Sequence, residues 1–222
     1  VMLAEPLRFM EENWNKPMFI FFSTNLPHGP VDIPPEENTY AGSPSIRQAY
    51  GNASGTNREC AGAAEEYASM VDKLDRQVGA IVDQVRKLDL DKRTIIIFSS
   101  DNGHELYYRT DKGRGRGPGC HGGVLDGTGE LLDVFRGSRG RVGPNNAMAN
   151  LAGLKWTSHE GGIRVPLIIS WPGTLPYGKV CHSLVANYDH MASFADLAGV
   201  RMPEGKDAVS YIDIPVSYTH LR

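Results

Sequence analysis

Three short stretches hold residue types that chemistry can use. In IIIFSSDNGHE, Ile95 to Glu105, an apolar run stops at Asp101, Asn102 and Gly103. A carboxylate and an amide carbonyl are hard oxygen donors of the kind that Ca²⁺ and Mg²⁺ prefer. Gly103 is expected to let the backbone turn sharply, so that both side chains face one centre instead of opposite sides. The same three residues also suit an ordinary Asx-type turn, and on their own that is the simpler reading. In TNLPHGP, His28 is placed to donate a hydrogen bond to an anionic substrate, or else is a solvent-exposed loop histidine. In GLKWTSHEGGIRVP, Lys155 precedes a Gly-Gly turn and is either a point charge for an oxyanion or a surface lysine.

These residues need elements to position them. Leu3 to Asn13 reads as a short helix ended by Asn-Lys-Pro. Pro17 to Ser23 is solidly apolar, which suits a strand buried on both faces. The Pro-, Gly- and Asn-rich stretch from Thr24 to Glu59 reads as one long loop. From Ala61 to Leu88, Tyr67, Met70, Val71, Leu74, Val78, Ile81, Val85 and Leu88 step by three and four, the period of a helix with one core face. Thr94 to Ser100 and Arg164 to Trp171 are two further apolar strands, with a glycine-rich irregular region, Gly103 to Trp156, between them. Strand, helix, strand is a βαβ unit, so the first two strands are expected to run parallel. Asp189 is expected to N-cap a helix from His190 to Ala198, with Gly199 just past its end. The fold class is α/β, a mostly parallel sheet flanked by helices. Ligands of such sheets bind beyond the carboxyl ends of the strands, where His28 and the Asp101-Asn102 pair both fall.

The bulk numbers exclude several classes. A net charge of −3 over 222 residues leaves no electrostatic footprint for nucleic acid. No apolar run approaches membrane-spanning length. Cys60, Cys120 and Cys181 are widely spaced with no CxxC pair, which argues against a zinc site or a disulfide framework. The first residues lack the charged-then-apolar-then-small order of a signal peptide, and there is no initiator Met, so the chain is expected to start inside a longer one. GPGCHG, Gly117 to Gly122, satisfies G-x-G-x-x-G, but no strand precedes it and Pro118 interrupts it, so it is read as accidental. Arg109, Lys112, Arg114 and Arg116 make a basic loop, either a plain surface loop or a positive rim for a sulfated sugar. His104, His121 and His159 receive no assigned role.

Taken in order, NKPMFIFFSTNLPHGP, YASMVDKLDRQVGAIVDQVRKLDLDKRTIIIFSSDNG, LKWTSHEGGIRVPLIISWPG and YDHMASFADLAGV resemble the sulfatase family, of the arylsulfatase type within the alkaline-phosphatase-like superfamily. The resemblance runs from Lys16 to about Ile214, and its specific part is SDNG combined with K-x(4)-EGGIRVPLIISWPG. It implies an alkaline-phosphatase-like fold and an incomplete domain. It implies that Asp101 and Asn102 are half of a divalent-metal site, normally calcium, and that His28 and Lys155 contact the sulfate ester. An amide at position 102, where phosphatase and phosphodiesterase relatives carry a histidine, suits calcium better than zinc.

The family's nucleophile is a formylglycine made from the Cys or Ser of C/S-x-P-S-R, and its first metal ligands are an acidic pair near the start of the domain. Neither is expected here; GSPSIR, Gly42 to Arg47, has Gly where the modified residue would stand. Residues 1–214 are therefore read as the later part of a sulfatase catalytic domain, inactive alone, and 215–222 as a non-native or truncated tail. The implied parent activity is hydrolysis of a sulfuric ester, plausibly on a carbohydrate, with a small-molecule or glycan sulfate ester as the partner. A phosphodiesterase or phosphotransferase of the same superfamily, and a degenerate glycan-binding relative, stay open as alternatives. Family habit gives a periplasmic, secreted or lysosomal location.

Overall fold

The structure is a computed structural model that describes residues 2–28, 31–51, 58–103, 155 and 158–212. The basic loop, Gly117 to Gly122, His104 and His121 lie outside the described residues. The chain divides into two compact units, Val1–Leu88 with Asn102–Pro166, and Asp89–Asp101 with Leu167–Arg222.

The described elements of the first unit are helices. Helix α1 spans Ala4–Asn13, α2 spans Pro44–Gly51, α3 spans Arg58–Lys87 and the short α4 spans Glu160–Ile163. The helical period of the sequence appears as α3, with Arg86 and Lys87 in its last turn, where cations favour the negative end of the helix dipole. Val31, Ile33, Ile46 and Met70 form a buried cluster, with Leu26, Tyr67 and Ala68 packed against it. Polar ties support the same packing. Ser69, fully buried on α3, accepts from the Tyr40 backbone N–H at 3.1 Å and lies 2.8 Å from Asn38 Oδ1. Arg47 Nε donates to the buried Glu65 carboxylate at 2.8 Å. On the other side, Gln84 and Lys87 of α3 both donate to Glu11 of α1 at 2.9 Å.

The stretch from Thr24 to Glu59 is more ordered than its composition suggested. It contains a 3₁₀ turn at Pro35–Glu37, α2, and the beginning of α3. Pro44 opens α2, the position where its fixed φ and missing N–H cost nothing.

The second unit holds the sheet: β1, Ile96–Ser99, pairs antiparallel with β2, Leu167–Ser170, in the register Ile97↔Ile169 and Phe98↔Ile168. The expected parallel partner, Pro17 to Ser23, is extended but belongs to no described strand, and Phe19 and Phe21 are 68% and 83% exposed. An apolar run marks a segment able to sit in a sheet; it does not name the neighbour. Order along the chain pointed to one neighbour for β1, and the described ladder supplies another. Along β2, alternate residues are half-buried and exposed, the pattern of a sheet covered on one face.

Helix α5, Asp189–Leu197, closes the second unit. Its end matches the expectation: Gly199 has φ +66° and donates to Asp196 O at 3.0 Å, while Val200 donates to Ala195 O at 2.8 Å, the paired bonds of a Schellman cap. Its start differs. Asp189 is the first helical residue, and its carboxylate accepts from the N–H of Ala186 and of Val209, both at 2.9 Å. The side chain therefore ties two loops to the helix instead of capping it.

Candidate active site

His28 and Lys155, 127 residues apart in sequence, meet in the first unit, with Lys155 Nζ 2.9 Å from His28 Nε2. His28 is held by a tight turn in which its N–H donates to Asn25 O at 2.8 Å and the Leu26–Pro27 peptide is cis. Leu26 of that turn packs on the apolar cluster, and its N–H donates to Thr24 Oγ1, which bonds Gln77 of α3 at 3.2 Å. An ammonium has donors only, so a hydrogen bond from it needs Nε2 of His28 as the acceptor. The sequence expectation was a lone loop histidine and a lone lysine with a shared role; the structure brings the two side chains together.

The Asp101-Asn102-Gly103 motif follows the end of β1 as a series of bends. Asp101 is exposed, Asn102 half-buried and Gly103 buried. Gly103 N–H donates to Gly162 O at 2.8 Å, on the short helix α4, Glu160–Ile163. A Cβ on Gly103 would lie 1.9 Å from Gly161 O and 2.8 Å from Gly161 C. The chain bends at Gly103 without a positive φ, and the close approach of two backbones gives a second reason for glycine there. Gly161 and Gly162 are buried at the same contact, which links Gly103 to the EGG stretch within the first unit.

Asn102 Nδ2 donates to Gly103 O at 2.9 Å, which fixes the nitrogen end of the amide. In the second unit, Asn187 Nδ2 lies 3.1 Å from Ser100 O and 3.4 Å from Asp101 O. Sequence reasoning passed over Asn187, because an asparagine shortly before a helix is ordinary turn chemistry. His159 flanks α4 in extended conformation, with no side-chain cap bond.

For a divalent cation, Asp101 and Asn102 offer a carboxylate and an amide, donors that fit calcium and form only part of its shell of six to eight oxygens. Among the described residues, no group of three or more His, Cys, Asp or Glu side chains is placed to hold a metal ion. No helix among them is long and apolar enough to cross a membrane.

The sequence model of the Sulfatase family matches residues 1–200. The chain belongs to the sulfatase family. Among curated sulfatases, it is 26% identical over 208 residues to N-acetylgalactosamine-6-sulfatase of Canis lupus familiaris, covering 93% of this chain and 30% of that protein. It is 27% identical over 147 residues to an arylsulfatase of Klebsiella aerogenes, covering 60% of this chain and 29% of that one. The chain thus spans about 30% of the length of these relatives. The crystal structure of Ps i-CgsB superposes with a TM-score of 0.65 at 26% identity, covering 97% of this chain and 38% of that one. A second structure of it, in complex with k-i-k-neocarrahexaose, gives 0.63 at 26% identity, over 98% and 37% of the two chains. This sulfatase chain accordingly has the alkaline-phosphatase-like α/β fold, as a partial domain.

Proposed function

We propose that this chain is the part of a sulfatase that grips the ester: the whole protein hydrolyses a sulfuric ester, on a carbohydrate, and releases inorganic sulfate. The observation that carries the reading is the His28–Lys155 contact at 2.9 Å, a pair of cationic and imidazole groups assembled from distant parts of the sequence. Family membership supports the reaction class. The carbohydrate substrate is supported by the N-acetylgalactosamine-6-sulfatase relative and by the oligosaccharide complex of a structural neighbour.

In this proposal Lys155 donates to a sulfonate oxygen, and its positive charge offsets the negative charge that grows there as the ester bond breaks. His28, its Nε2 engaged by Lys155, holds the ammonium in place. Asp101 and Asn102 are the chain's ligands for a calcium ion, with Asp101 supplying the formal charge and Asn102 a neutral oxygen. Bound calcium would add Lewis-acid polarisation of a sulfonate oxygen. The nucleophile is a formylglycine contributed from outside this chain.

The test is calcium-dependent turnover by the full-length protein. Stripped of metal with a chelator, it should lose release of inorganic sulfate from a chromogenic aryl sulfate, and added Ca²⁺ should restore it. Release of phosphate from the matching aryl phosphate, with no sulfate released from the sulfate ester, overturns the proposal in favour of a phosphoester hydrolase.

A further inference from the structure

Two consecutive carbonyls, those of Ser100 and Asp101, lie within reach of one side-chain nitrogen, Asn187 Nδ2, at 3.1 and 3.4 Å. Along a regular strand, successive residues point to opposite sides. Two neighbouring carbonyls converging on a single amide therefore mark the place where the chain leaves strand geometry. That place is the residue proposed above as a metal ligand. An amide NH₂ has two hydrogens, one for each oxygen.

Asn187 is itself held firmly. The Asp189 carboxylate accepts from Ala186 N–H at 2.9 Å, Asp189 N–H donates to Ala186 O at 2.9 Å, and His190 N–H donates to Asn187 O at 3.3 Å, so the turn carrying Asn187 is closed on itself. The helix behind it is anchored too. Fully buried Ser193 donates to Asp189 O at 2.8 Å and accepts from the Tyr211 N–H at 3.0 Å. Asn187 is exposed, but its backbone turn is tied down, so the side chain starts from a fixed base when it bonds the two carbonyls.

We infer that Asn187 is a positioning residue for the metal-binding loop: by bonding the carbonyls of Ser100 and Asp101 it sets the backbone angle from which the Asp101 carboxylate reaches a cation. The inference rests on the calcium reading of Asp101. Supporting residues that orient metal ligands typically contribute 10–100-fold to metal affinity, and Asn187 falls in that range, without touching the ion.

The experiment is isothermal titration of Ca²⁺ into the metal-stripped full-length protein, as wild type, Asn187→Leu, Asn187→Ala and Asp101→Ala, with the thermal midpoint of each metal-free protein measured alongside. Leucine keeps the branching of asparagine without its donors, and alanine gives an independent removal should leucine perturb folding. The expected result is no measurable calcium binding at this site for Asp101→Ala, and affinity about 10–100-fold weaker for both position-187 variants, with metal-free midpoints close to wild type. Wild-type affinity in the position-187 variants, with or without a lowered metal-free midpoint, overturns the inference and leaves the Asp101 reading standing. Wild-type calcium binding by Asp101→Ala overturns both.

Discussion

The two ends of the Asp101-Asn102-Gly103 motif are secured by different means. Downstream, in the first unit, Gly103 meets Gly161 and Gly162 backbone against backbone, with no side chain between them. Upstream, in the second unit, Ser100 and Asp101 are held by the side-chain amide of Asn187. A contact between bare backbones has no rotamer with which to adjust, whereas a side-chain clamp can be weakened by degrees. The downstream anchor therefore governs whether the loop forms, and the upstream anchor governs how well it is aimed.

The largest effect should come from Gly103→Ala. With a methyl group 1.9 Å from a carbonyl oxygen, backbone must move; overpacking typically costs about 1–3 kcal/mol, and this case belongs at or above the upper end. Denaturant unfolding of the full-length protein would measure it, and an unchanged midpoint would break the contrast. The calcium affinities of the position-187 variants come next, smaller in stability and visible chiefly in binding.

The smallest effect is a pH trend confined to the upstream anchor's support. Burial lowers the His190 pKa, with the neighbouring Asp189 charge opposing it more weakly. His190 stands in the first turn of α5, and its Nδ1 lies 2.7 Å from Tyr211 OH. The unfolded chain then takes up the proton first. The histidine's contribution is fully present above about pH 6.5 and is lost as pH falls below it, because the unfolded state binds more protons there. Protection of the α5 amides against hydrogen exchange, normalised to the intrinsic rate at each pH, should fall on acidification to a degree that His190→Gln reduces. Equal acid sensitivity in that variant assigns the trend to other groups.

What was legible in the sequence followed from periodicity and local signals. The apolar steps from Tyr67 to Leu88 announced α3, and Gly199 announced the end of α5, because both are consequences of helix geometry alone. His28, Lys155, Asp101 and Asn102 were singled out through motif order, and the structure brings His28 and Lys155 into contact. The pairing of β1 was misjudged because strand neighbours are chosen by tertiary packing, and an apolar run such as Pro17 to Ser23 says nothing of which edge it meets. Helix α2 was hidden by its composition: Pro44 and Ser45 read as loop residues until the proline is seen at the helix start. Asn187 and the close backbone approach at Gly103 were invisible for a common cause. Each depends on a partner some 60–90 residues away along the chain, and no local pattern encodes it.

In the proposed function His28 and Lys155 act as one unit on the sulfonate group. A double-mutant cycle on kcat/KM for an aryl sulfate, in the calcium-loaded full-length protein, tests it most directly. Lys155→Ala should lower kcat/KM by about 10²–10³, as loss of a single oxyanion donor does. His28→Ala should cost a large share of that, and the double variant little more than Lys155→Ala alone, since groups that work together are not additive. Losses that multiply in full, or single variants as active as wild type, would contradict the account.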